Sequence, residues 1–104
     1  MVITEVKVFP VNEDRLKAYV SITIDNAFVV RDLKIIDGAT GLFVAMPSKK
    51  RKDGQFKDIA HPLNQETRTE IENKVFEAYE NEIRSMGESL NNLQRQKAPE
   101  NSDY

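Results

Sequence analysis

The sequence predicts an α+β fold, a five-stranded antiparallel sheet built as a meander of hairpins and followed by a C-terminal helix packed on one face. Two observations carry this. Apolar residues alternate with period two through residues 2–9 and 16–24, and the period changes to that of a helix only after residue 64. A third observation, apolar residues on both parities of the third and fourth strands, predicts a second cover for the sheet.

In the first strand Val2, Thr4, Val6 and Val8 share one parity, with Glu5 and Lys7 on the other, until Pro10 ends it. Asn12-Glu13-Asp14-Arg15 is a polar turn. Leu16, Ala18, Val20, Ile22 and Ile24 then alternate with Lys17, Tyr19, Ser21, Thr23 and Asp25, which is the cleanest strand pattern in the chain. Asp25-Asn26 tolerates unusual backbone angles, so the run from Phe28 to Asp37 folds back antiparallel. That run carries Phe28, Val30 and Ile36 on one parity and Val29, Leu33 and Ile35 on the other. The fourth strand sets Leu42, Val44 and Met46 against Phe43 and Ala45 before Pro47 stops the ladder. Residues 55–60 form a short fifth strand broken by His61-Pro62.

Asn64 is an expected helix N-cap, with Glu66 and Glu70 in the first turns, where the helix dipole favours carboxylates. Ile71, Val75, Tyr79, Ile83 and Met86, with Phe76 beside them, form the helical stripe that lies on the sheet. Gly87 is read as the C-cap, dividing a domain at residues 1–86 from an extension at 87–104, a short or frayed helix around Leu90 and Leu93 and then a disordered tail from about Gln94. One helix covers one face of the sheet. The other is covered by sheet curvature or by a second copy of the chain, and the two-faced strands favour a homodimer.

At 104 residues, the chain has the size of one domain, burying roughly 65% of its unfolded surface. The absence of cysteine excludes disulfides and thiolate chemistry, and suggests a reducing cytosol. The N-terminus lacks the pattern of a secretory signal, and no segment approaches the ~20 apolar residues of a membrane helix. The expectation is a cytoplasmic protein with no membrane association. The net charge of -2 conceals an asymmetry: residues 49–57 hold Lys49, Lys50, Arg51, Lys52 and Lys57 against Asp53 alone, whereas residues 77–88 hold four glutamates against Arg84. Because charges are screened over about 8 Å, a ligand feels the local cluster and not the total.

That cluster sits at the tip of a hairpin, where cations that repel one another gain phosphate partners from a polyanion. Arg51 can grip a phosphate with two hydrogen bonds, while the lysines act as point charges. The competing reading is a solvated hairpin that protects the sheet edge from pairing. Phe56 and Tyr19 could stack on bases, although an aromatic in a strand is more often core. Gly38-Ala39-Thr40-Gly41 has the spacing of a backbone-clamping loop, yet lies between strands and reads as a tight turn. His61 is the sole histidine and reads as a strand terminator, so no histidine-pair metal site can form. No nucleophile elbow or paired general acid is present, no cofactor is implied, and the chain is not read as an enzyme.

The run Phe28-Val29-Val30-x-Asp32-Leu33, then Ile36-Asp37-Gly38-x-x-Gly41-Leu42-Phe43-Val44-Ala45-Met46-Pro47-Ser48-Lys49, then Asp53-Gly54-x-Phe56-x-Asp58-Ile59-Ala60-His61-Pro62 closely resembles the bacterial SpoVG family, stage V sporulation protein G or septation regulator, over about residues 1–85. The resemblance implies a homodimeric α+β protein of the cytosol linked to septation, sporulation and gene expression. It also implies site-selective DNA binding and, in some members, RNA binding. The family's Lys-Arg pair after Met-Pro-Ser falls on Lys49 and Lys50, so lysine stands where the family has arginine, and Arg51-Lys52 stands where relatives often carry Thr-Pro. The expected phosphate contacts are Lys49, Lys50, Arg51 and Lys52, with Lys57, Arg68 and Lys74 as lesser contributors. The competing class is a protein-interaction module docking a partner of the division or transcription machinery.

Overall fold

In the computed structural model, which describes residues 1–97, six strands precede one helix: β1 (Ile3–Pro10), β2 (Leu16–Ile24), β3 (Phe28–Gly38), β4 (Gly41–Ala45), β5 (Ser48–Lys50), β6 (Phe56–Asp58) and α1 (Gln65–Lys97). The strands β1 to β4 form an antiparallel meander in chain order, and β5 pairs only with β6 in a separate two-stranded ribbon. The expected five-stranded sheet is therefore four strands plus a pair. The fourth strand does not continue into the basic hairpin because Met46 and Pro47 are buried between the two ladders, and proline has no N–H to extend either.

The Asp25-Asn26 turn forms as its residue types predict. Both residues take left-handed angles, φ 52° and 53°, and Ala27 N–H donates to the Ile24 carbonyl at 2.9 Å. Val2 N–H in turn donates to Asp25 Oδ1 at 2.9 Å, and Asp25 N–H to the Val2 carbonyl at 2.8 Å. The chain start is thereby fastened to the β2–β3 turn.

Bulges revise the expected faces. The pairing of β1 with β2 shifts register between Ile3 and Glu5, so Thr4 is an extra residue and Ile3 is buried on the same side as Val6 and Val8. Val2 and Thr4, assigned to the inner parity from alternation alone, are exposed. In β3 the residues Arg31 and Asp32 together oppose Ser21, with Asp32 at φ 66°. Val30, Leu33 and Ile35 consequently all face the core. The apparent two-sidedness of this strand is thus partly a change of parity at the bulge.

The core comprises Ile3, Ala18, Val20, Ile22, Leu33, Ile35, Val44 and Met46 from the sheet, closed by Ile71 and Val75 of α1, with Phe76 and Tyr79 packed at its margin. The helix begins where expected. Asn64 Oδ1 accepts from Thr67 N–H at 2.8 Å, and the Asn64 carbonyl accepts the first helical bond from Arg68 N–H at 3.2 Å. The stripe outruns its support, since Ile83 and Met86 are 44% and 47% exposed. Gly87 does not cap the helix. It lies inside α1, the positive-φ glycines being Gly41 and Gly54, and α1 continues through residues 94–97, which were expected in the tail. The rest of that expected tail, residues 98–104, lies outside the described residues.

Candidate nucleic-acid interface

The basic segment is an ordered ribbon. Ser48 faces Asp58, Lys49 faces Lys57 and Lys50 faces Phe56. Because side chains alternate along a strand, Lys49 and Lys57 share one face and Lys50 lies beside Phe56 on the other. The cations at 51 and 52 occupy the connecting turn. Gly54 N–H donates to the Arg51 carbonyl at 3.0 Å and Arg51 N–H to the Gln55 carbonyl at 2.7 Å. Asp53 Oδ1 accepts from Gln55 N–H at 3.0 Å. Gly54, at φ 88°, supplies the left-handed residue that such a hairpin loop requires after its turn. At the base, Ile59 N–H donates to the Pro47 carbonyl at 2.7 Å. The Asp-Gly dipeptide is therefore what folds the cations back on themselves.

Every residue from Ser48 to Ile59 is exposed. Lys49, Lys50, Arg51, Lys52 and Lys57 line a shallow hollow of about 470 Å³ with Asp58 and Ile59. The five expected tip cations are thus brought together. Arg68 and Lys74 are not among the residues lining it: Arg68 is half-buried in the first turns of α1 and Lys74 exposed further along, on a helix that packs against β1, β2 and β4. Phe56, expected as core, is 70% exposed, and Tyr19 is 40% exposed.

The ribbon has nothing to bury. All six residues of its two strands are exposed, so backbone pairing and the turn hold it, while Lys49 and Lys57 oppose each other across it. Like charges at directly opposed positions destabilise a ladder. An anion placed between them converts that repulsion into two attractive contacts.

The turn reading of Gly38-Ala39-Thr40-Gly41 holds. Gly38 pairs with Gly41 to close the β3–β4 hairpin, and Gly41 takes φ 125°. A Cβ on Gly38 would stand 2.9 Å from the Phe43 ring.

The family model for SpoVG matches residues 1–81, which includes the whole sheet, the ribbon and the first half of α1. The chain belongs to the SpoVG family. A protein of Bdellovibrio bacteriovorus is 78% identical over 104 residues, covering 100% of this chain and 95% of its own length. One from Anaeromyxobacter sp. (strain Fw109-5) is 67% identical over 84 residues, 81% of this chain and 87% of the relative. One from Caldicellulosiruptor bescii is 57% identical over 81 residues, 77% and 92%. Each carries the name "Putative septation protein SpoVG". The latter two matches span 84 and 81 residues, whereas the Bdellovibrio match takes in the full chain.

Sequence reasoning missed that residues 48–50 are themselves a strand. The signal was present in the symmetric flanks of the turn, Ser-Lys-Lys before it and Phe-Lys-Asp after it, each long enough for three cross-strand pairs.

Proposed function

We propose that this SpoVG-family chain is a nucleic-acid-binding regulator with a role in septation, the role its relatives' names carry, and that the β5–β6 ribbon is its phosphate-contacting element. The observation behind this reading is the opposition of Lys49 and Lys57 on a ribbon whose turn adds Arg51 and Lys52. A polyanion offers each of these exposed cations a phosphate partner. Lys49, Lys50, Arg51, Lys52 and Lys57 bind phosphates of DNA, and of RNA where its backbone presents the same spacing. Arg68 and Lys74 contribute at longer range. The chain is not an enzyme and works without a cofactor, in the cytoplasm; among the described residues no helix is long and apolar enough to cross a membrane.

The working form in this reading is a homodimer. Its support is a hollow of about 360 Å³ between the sheet and the start of α1, lined by Met1, Ile24, Val30, Met46 and Leu63 among others. Phe28, Ile59 and Leu63 are exposed large apolar side chains in the same chain. A dimer presents two ribbons to one duplex, so preferred half-site spacing follows their separation.

Fluorescence anisotropy with labelled duplex DNA, single-stranded DNA and RNA across a salt series tests the reading. Binding to duplex DNA that weakens with salt by about 0.9 log units per log unit for each neutralised phosphate, and that is lost when residues 49–52 are reversed in charge, is the expected result. Absence of binding at low salt would transfer the function to the protein-interaction reading, in which the same surfaces dock a division or transcription partner.

A further inference from the structure

The face of the sheet opposite α1 carries a pattern that the ribbon does not explain. Phe9 is the direct cross-strand partner of Tyr19, Tyr19 of Lys34, and Lys34 of Ala45, so one row crosses all four strands. Phe9 is 57% and Tyr19 40% exposed. Partners in an antiparallel pair have Cβ atoms about 4.5–5.5 Å apart, which sets the two rings side by side. Lys7 lies two residues before Phe9 on the same face, opposite Ser21. Phe9, Tyr19, Lys7 and Arg31 line one hollow of about 370 Å³, together with Glu5 and Asp32.

We infer that this face is a stacking platform for single-stranded nucleic acid, a second site beside the ribbon. Exposed aromatic rings on the open face of a four-stranded antiparallel sheet stack unpaired bases, which have π-faces whatever their identity. The cations are placed for the backbone of such a strand: Lys34 flanks Tyr19, Lys7 flanks Phe9, and Arg31 stands at the bulge. Glu5 stands two residues before Lys7, one cross-strand pair beyond it from the aromatic row, and repels phosphates from that end, while Asp32 opposes Ser21 beside Arg31 in the row of Lys7. A duplex does not fit this description, because its bases are already stacked and only its phosphates are presented. The bulge is part of the device, since the extra residue in β3 lets Arg31 and Asp32 occupy the outer surface together while Val30 and Leu33 stay in the core. This inference rests on the nucleic-acid reading of the chain but not on the ribbon as its site.

The test uses the full chain, labelled oligo(dT), oligo(rU) and a duplex, with three variants: Tyr19→Leu, Phe9→Leu and Tyr19→Phe. Loss of one stacked base lowers single-strand affinity by about tenfold or more. The expected result is that loss in each leucine variant, retention in Tyr19→Phe, and unchanged duplex binding in all three, with thermal melting midpoints held constant as the control for folding. Reversal of charge at residues 49–52 is expected to abolish duplex binding while single-strand binding persists, which separates the two sites. Comparison of oligo(dT) with oligo(rU) tells which single strand is preferred. Unchanged single-strand affinity in both leucine variants overturns the inference. So does a fall in sedimentation coefficient in those variants without any change in nucleic-acid binding, which would make the face a contact between copies of the chain.

Discussion

Lys49 and Lys57 are direct cross-strand partners in a ribbon that buries no side chain. Two ammonium groups on one face of a two-stranded ladder is an arrangement that folding alone disfavours. Replacing one with a carboxylate therefore separates fold from function. In Lys49→Glu the opposed pair becomes attractive, and amide hydrogen exchange across residues 48–58 is expected to slow. Duplex affinity is expected to fall at the same time. A variant that both exchanges faster and binds less would show that Lys49 serves the ribbon's fold and not a ligand.

Salt dependence separates the lesser cations from the ribbon. Neutralising a true phosphate contact lowers the salt slope by about one unit. Lys50→Gln and Arg51→Gln are each expected to do so on duplex DNA. Lys74→Gln, on a helix outside the ribbon hollow, is expected to reduce affinity with a smaller change in slope. An equal slope change for Lys74 would extend the interface along α1.

The bulge in β3 yields a stability prediction. Asp32 holds φ 66° so that Val30 and Leu33 can both reach the core, and a β-branched residue resists that conformation. Asp32→Val is expected to cost about 1–2 kcal/mol in chemical denaturation, with Asp32→Gly tolerated. Equal stability of the two variants would mean that the left-handed backbone at this position is not needed. Leu33→Ala, at a site with no exposure, is the reference, expected to lose about 2–5 kcal/mol.

That bulge also shows how far the sequence could be read. The start and end of β2 and β3, the Asp25-Asn26 turn and the Asn64 cap were legible because each depends on neighbours within a few residues. The parity of Val30 against Leu33, and of Ile3 against Val6, was not, because a bulge is settled by the partner strand and leaves no local mark in an apolar run. The five tip cations were legible as a cluster from adjacency alone. The Phe9–Tyr19–Lys34 row was hidden, since its members are brought together only by register. Phe56 was misjudged for a related reason: period two says which face a residue takes, not whether anything covers that face.

Gly41 closes the β3–β4 hairpin at φ 125°, a region closed to residues with a side chain at ordinary cost. Open space surrounds the position where its Cβ would stand, so any penalty is one of backbone strain and not of packing. Gly41→Ala is expected to destabilise the domain by about 1–3 kcal/mol. A thermal midpoint unchanged from the parent would show that the hairpin adopts another turn without loss.

Gly87 distinguishes a continuous helix from a capped one. A glycine at the left-handed position after a helix is destabilised by replacement with alanine, whereas a glycine within a helix gains about 1 kcal/mol from it. Gly87 lies inside α1, with nothing within 4 Å of the position its Cβ would take. Gly87→Ala is therefore expected to raise the helical signal in far-ultraviolet circular dichroism and to increase the resistance of residues after 87 to proteolysis. A drop in helicity would restore the C-cap reading and place the end of the helix at Met86, with Leu90 and Leu93 beyond it.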